Sequence, residues 1–129
     1  MKLLLDTHIW IWLVENSSRL GAHTAKELAD TANELWLSPV STWEVLNLHR
    51  KKRLSLPSNP DDWLPQALAG IQQHAPLTHE IVRAAERLSL HEDPADRFIA
   101  ATAQVHELVL VTADQRLLGL ASVRTMANR

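Results

Sequence analysis

Cysteine is absent from the 129 residues, glycine occurs three times, and no stretch is rich in Ser, Gly or Pro. Without cysteine there is no disulfide framework, no thiolate metal site and no cysteine nucleophile. A reducing compartment is permitted, and any metal must be held by carboxylates or histidines. The lack of linkers and internal repeats excludes an array, and the length suits one domain over residues 1–129, large enough to bury a core without cross-links. Long apolar runs are missing too. None approaches the roughly 18 residues of a membrane-spanning helix, and the opening Met1-Lys2-Leu3-Leu4-Leu5 meets Asp6 too soon for a secretory signal. A soluble, cytoplasmic protein with no membrane partner is expected.

A basic excess is also lacking, since 13 Lys and Arg face 15 Asp and Glu, for a formal charge of −2. That balance argues against a protein that grips nucleic acid through a positive surface. An RNA substrate needs local help, which bound cations can give by reversing the sign of an acidic site. The seven histidines show neither the i, i+4 spacing nor the cysteine companions of a zinc site.

What the chain does have is alternation of short apolar runs with helical stretches. Leu3 to Leu5 reads as a strand ending at Asp6, followed by a helix over His8 to Val14. An amphipathic helix is expected over Thr24 to Ala32, a strand over Glu34 to Ser38, and a helix opened by Ser41 and running to about Lys52. Ser41-Thr42-Trp43-Glu44 fits a capping box. A helix follows over Asp61 to His74, then a short strand near Leu77, and Thr78 caps a helix over Glu80 to Leu88. Asp93 and Pro94 fit the N-cap and first position of an Ala-rich helix reaching Val105. Leu108 to Val111 is apolar on consecutive residues, as a strand buried on both faces should be. Such alternation implies an α/β fold with a central parallel sheet of four to five short strands, flanked by helices in three layers.

Sites in parallel sheets lie beyond the carboxyl ends of the strands. Asp6, Glu44 and Asp114 each follow a strand, and Asp96 opens the helix leading into the last clear one. Each acid alone is explained by helix capping, because free N–H groups and the macrodipole favour negative charge there. Four gathered at one sheet edge repel each other and raise their own pKa values unless a cation or hydrogen bonds compensate. Mg²⁺ prefers such oxygen ligands, and metal-assisted hydrolysis of a phosphodiester is the chemistry it supports.

Four pieces in order carry a resemblance: Leu5-Asp6-Thr7-His8, Ser41-Thr42-Trp43-Glu44, Asp93-Pro94-Ala95-Asp96-Arg97-Phe98, and Val111-Thr112-Ala113-Asp114. Together they resemble the PIN-domain nucleases, and more narrowly the VapC-type ribonuclease toxins of bacterial type II toxin-antitoxin pairs. The resemblance implies a Rossmann-like PIN fold and a Mg²⁺-dependent endoribonuclease in which Mn²⁺ can substitute. It also implies a homodimer and a cognate antitoxin that blocks the groove. Carried over by residue, Asp6, Glu44, Asp96 and Asp114 match the family's catalytic, metal-binding quartet, with Asp6 and Asp96 expected to contact metal most directly. Asp93 is an extra acid, Thr7 and Thr112 are supporting hydroxyls, and Arg97 either pairs with a carboxylate or meets RNA. His8 stands where many family members have Asn, which alters the hydrogen bonding expected around the first acid.

Several residues admit a second reading. Arg50-Lys51-Lys52-Arg53 complements a helix C-terminus, or contacts phosphate. His8 and His91 are nearest the acids; structural roles are favoured over substrate contact. Trp10 and Trp12 flank Ile11 and cannot share one face of the first helix; they read as core or groove-lining residues over the alternative that one is exposed to a partner, and Trp36, Trp43 and Trp63 read as packing residues. Trp43 adjoins Glu44 and, if exposed, could stack a base. The competing functions are a catalytically silent PIN-fold binding module, a DNA-directed flap nuclease, for which the chain is too short, and a receiver-like signalling domain. The last wants adjacent acids after the first strand and a late lysine, which are not evident.

Overall fold

A computed structural model describes residues 1–129. Its centre is β1 (Lys2–Leu5), where three consecutive leucines are buried. Leu3 and Leu5 face one side of the sheet and join Trp10 and Leu37 in one core; Leu4 faces the other and joins Ile99 and Leu110 in a second. This two-sided burial follows from the strand period of two when helices cover both faces.

Helix α1 (Thr7–Glu15) starts on the Asp6 side chain and ends at Asn16 in the left-handed region. Helix α2 (Ala22–Ala29) leads to β2 (Glu34–Leu37), and α3 (Pro39–Arg50) to α4 (Pro60–Leu68) and the two-residue β3 (Gln73–His74). Helix α5 (His79–Glu86) is capped by Thr78, whose Oγ1 accepts from Ile81 N at 3.2 Å. Then come α6 (Pro94–His106), β4 (Val109–Thr112), the single-turn α7 (Gln115–Leu118) and β5 (Thr125–Ala127). Every residue of β4 is buried.

The five strands are all parallel, in the order β3-β2-β1-β4-β5. From β1 the chain first adds β2 and β3 on one side, then places β4 and β5 on the other. The reversal opens a crevice beyond the carboxyl ends of β1 and β4, where sites form in such sheets. It also separates this fold from the receiver-like alternative, whose sheet runs 2-1-3-4-5.

Some boundaries move. Helix α3 begins at Pro39, capped by Ser38, whose Oγ accepts from Val40 N at 3.1 Å. Ser41 is therefore inside the first turn, buried, and no capping box forms. Helix α2 starts two residues early and ends at Ala29. Helix α4 stops at Leu68 rather than His74, because residues 72–75 are captured by the free edge of β2: Gln72 N donates to Leu35 O and Ala75 N to Leu37 O. The strand expected at Leu77 is this one, four residues earlier; Leu77 itself lies in a loop, 44% exposed.

Candidate active site

Asp6 leaves β1 at the crevice, its backbone N–H still donating to Val111 O of β4 at 3.0 Å. Both carboxylate oxygens are engaged: Oδ1 accepts from Thr7 N at 2.8 Å and Oδ2 from Thr112 Oγ1 at 2.7 Å. Only 7% of the residue is exposed. Burial pushes its pKa up, Asp96 adds to the rise, and the two hydrogen bonds oppose it. Thr112 has a second task, accepting from Asp114 N at 3.0 Å. One hydroxyl thus ties the ends of β1 and β4 together.

Thr7 does the same toward α3. Its Oγ1 donates to Glu44 Oε1 and lies 2.9 Å from Ser41 Oγ. Glu44 is half-buried, and burial lifts its pKa from 4.5 to about 7, with Asp6, Asp96 and Asp93 adding to the rise against the Thr7 bond. Asp96 sits in the first turn of α6, 9% exposed. Its pKa is also raised, by burial and then by Asp93 and Asp114, while His91 Nε2 at 2.8 Å from Oδ2 holds it down.

Asp114 differs from the other three. It caps α7 by accepting from Arg116 N at 2.8 Å, and the Arg116 guanidinium reaches its two oxygens at 3.3 and 3.1 Å. Burial still pushes this carboxyl up, but the arginine outweighs it and the pKa falls below the ordinary range. The same guanidinium stands 3.9 Å from Asp96 Oδ2. Asp93 is exposed and caps α6, accepting from Ala95 N at 3.0 Å and Asp96 N at 3.4 Å.

All five acids line one cleft of about 390 Å³, with Thr7, His8, Trp12 and Arg116 also on its walls. Arg97 does not join them. Its guanidinium donates to five backbone carbonyls, of Ala85, Glu86, Leu88, Leu90 and His91, at 2.7 to 3.3 Å. Instead of pairing with a carboxylate it closes the end of α5 and holds the loop that delivers His91 and Asp93.

Sequence reasoning placed His91 near the acids without its partner and missed a second group altogether. His91 contacts Asp96 directly, and its ring, Asp93 and Asp96 offer ligand atoms within 4.8 Å of one another. Arg116 was not singled out at all; its only signal is a basic residue two places after an acid that starts a turn. Trp43, read as a packing residue, is 59% exposed. Trp10 is buried, its Nε1 donating to Ala67 O at 3.0 Å.

Asp6, Glu44 and Asp96 are held in a shared cleft at pKa values above their ordinary range, the electrostatic signature of a site short of positive charge. The donors are all oxygen apart from His91, which fits a hard divalent cation.

Comparison with known proteins bears on the family and the fold. The PIN domain family model matches residues 3–123. Ribonuclease VapC22 of Mycobacterium tuberculosis (strain ATCC 25618 / H37Rv) is 35% identical over 117 residues, covering 89% of this chain and 88% of its own. Among solved structures, VapBC2 from Rickettsia felis bound to a promoter DNA fragment superposes with a TM-score of 0.74 at 15% identity, covering 98% of both chains. VapBC-5 from Mycobacterium tuberculosis, a member of the VapBC family of toxin-antitoxin systems, gives 0.58 at 21% identity, again over 98% of both.

Proposed function

The chain belongs to the PIN domain family, and we propose that it is a divalent-metal-dependent endoribonuclease acting as the toxin of a toxin-antitoxin pair. The observation that carries this reading is the shared cleft: acids from four distant parts of the chain line it, two of them almost wholly buried. Such a cluster has a strong need for a cation, and the relative named a ribonuclease supplies the substrate class.

Asp6 and Asp96 would hold Mg²⁺ most directly, with Mn²⁺ as a substitute, and Glu44 and Asp114 would complete the shell. Bound there, the ion supplies charge neutralisation at the phosphate and an activated water at neutral pH. The chain's own residues aim the ligands. Thr112 and Thr7 N fix Asp6, Thr7 Oγ1 fixes Glu44, and His91 fixes one oxygen of Asp96. Such supporting contacts set ligand orientation and basicity. Arg116 keeps Asp114 ionised. With water as the nucleophile, rather than the ribose 2′-OH, the products carry 5′-phosphate and 3′-hydroxyl ends.

Residues 1–129 would work as one domain, in the cytoplasm; no helix is long and apolar enough to cross a membrane. The proposed partners are a cognate antitoxin that covers the acidic cleft and a second copy of the chain. The second copy is supported by a nearly all-apolar groove of about 400 Å³ between α3 and α6, where Trp43, Leu77 and Phe98 meet. Trp43 and Leu77 there are large apolar side chains left open to solvent.

The test is purified protein with single-stranded RNA and Mg²⁺. Cleavage with 5′-phosphate ends, lost in Asp6→Asn and Asp96→Asn while circular dichroism stays unchanged, supports the reading. Products ending in 2′,3′-cyclic phosphate, or an Asp6→Asn chain that cuts at the normal rate, refute it. Metal binding without any cleavage would point to the silent binding module. In cells, expression should arrest growth and Asp96→Asn should relieve the arrest.

A further inference from the structure

One wall of the acidic cleft is aromatic. His8 and Trp12 both line it. Four residues apart, they share one face of α1, with ring centroids 6.0 Å apart and planes tilted by 53°. Trp12 is half-buried against the core beneath α1, whereas His8 is exposed. A half-buried ring therefore lies tilted beside an accessible one. His8 also lies two residues after Asp6, which caps the same helix, so the accessible ring borders the acids directly.

An aromatic pair at i, i+4 stabilises any helix surface by a little. That role alone gives no reason for the pair to form part of the cleft wall. Single-stranded RNA presents two chemistries at each nucleotide, a phosphate and a flat base with exposed π-faces. The cleft presents their complements side by side: carboxylates suited to a cation that bridges phosphate, and a ring beside a second ring. Its volume of about 390 Å³ is near the lower end of the roughly 300–1,000 Å³ usual for ligand clefts.

We propose that His8, held beside the tilted ring of Trp12, is the stacking platform for an unpaired base adjacent to the scissile phosphate. The inference rests on RNA being the substrate, as proposed above. Stacking is tolerant of base identity because every base has a π-face. Its consequence is a demand for an unstacked nucleotide at that position, which directs cleavage to loops and single strands.

The experiment uses the full chain with Mg²⁺ and a single-stranded RNA that it cuts, plus versions with one abasic nucleotide at each position flanking the cut. His8→Ala should raise KM by roughly 5- to 100-fold, with a smaller change in kcat. His8→Phe, which keeps a ring and removes the nitrogens, should restore KM. At one flanking position the abasic substrate should cost the wild type the same factor, and that loss should not add to the loss in His8→Ala, since two changes that remove one contact are not additive. Unchanged KM in His8→Ala, failure of His8→Phe to rescue, or multiplying losses at every position would each overturn the platform while the ribonuclease reading stands. A wild-type chain that cuts no RNA overturns both.

Discussion

Glu44 titrates near neutrality in the metal-free fold, and the sign of the consequence is fixed. Its pKa rises from 4.5 to about 7 on folding, so between those values the folded chain holds a proton that the unfolded chain has released. Stability is fully present below about pH 4.5 and is lost as pH climbs toward 7, the reverse of an ordinary salt-bridged carboxylate. Asp6 and Asp96 shift in the same direction. The melting temperature in chelator should therefore fall across this window, and Mg²⁺ should raise it more at about pH 8 than at about pH 5, because at low pH the ion must displace protons. A melting temperature in chelator that rises with pH would contradict the linkage. Thr112→Val tests the scaffold of Asp6. It removes one of the carboxylate's two donors without changing side-chain size, and should weaken Mg²⁺ binding by roughly 10- to 100-fold, read by calorimetry; an affinity within about twofold of wild type would show that Thr112 does not orient the ligand. At this scale the acids were legible because a carboxylate after a strand is a local pattern. His91 was placed near them but not on Asp96, and Arg116 was missed, since what gives each its meaning is a partner brought close by tertiary folding.

The elements that position the acids were legible where burial and punctuation agreed. β1 and β4 were found within one residue at each end because their runs are too short for a helix and, in β4, β-branched. Asp93-Pro94 marked the start of α6 through a side chain that accepts two N–H groups and a residue that needs none. Reading failed where tertiary pairing overrode local pattern. Gln73–His74 is exposed and polar, without alternation, and is a strand only because the edge of β2 offers it partners. The start of α3 was misplaced because Ser38 and Ser41 are both good caps, and Pro39 at N1 decides between them. β5 and α7 were not foreseen; β5 is a three-residue edge strand of half-buried residues. One element end carries a prediction. Glu107 terminates α6 with φ 55° and ψ 44°, a left-handed conformation that a residue with a β-carbon adopts at a cost of about 1–2 kcal/mol. Its side chain is exposed. Glu107→Gly should stabilise the chain by roughly 0.5–1 kcal/mol in urea unfolding and leave RNA cleavage intact. A loss of stability would mean that the glycine's extra freedom in the unfolded chain outweighs the relief.

For the molecule as a whole, shape and charge make separate predictions. Two cores on opposite faces of the sheet account for most large apolar side chains, yet Trp43 and Leu77 remain out at the groove between α3 and α6. If a second copy covers them, light scattering should give a dimer for the wild type and a monomer for Leu77→Lys at the same concentration, with helicity unchanged; a monomeric wild type at tens of micromolar would remove the proposal. Charge leads further. A chain of net charge −2 whose cleft gathers five acids repels phosphate, and the cation nearest the cleft, Arg116, is already engaged by Asp114. Divalent ions should then be required for RNA binding itself, not only for cleavage. In chelator, the affinity for a labelled single strand, read by fluorescence anisotropy, should drop by about tenfold or more, and Ca²⁺ should restore binding with little cutting. The rival is the exposed run Arg50-Lys51-Lys52-Arg53 at the far end of α3, which could hold the backbone on its own. In that case affinity would survive chelator and fall with monovalent salt, with a log–log slope of about −0.7 per phosphate contact. The two outcomes differ in which ion controls binding, so one titration in each salt separates a substrate held through the metal site from one held by the basic helix end.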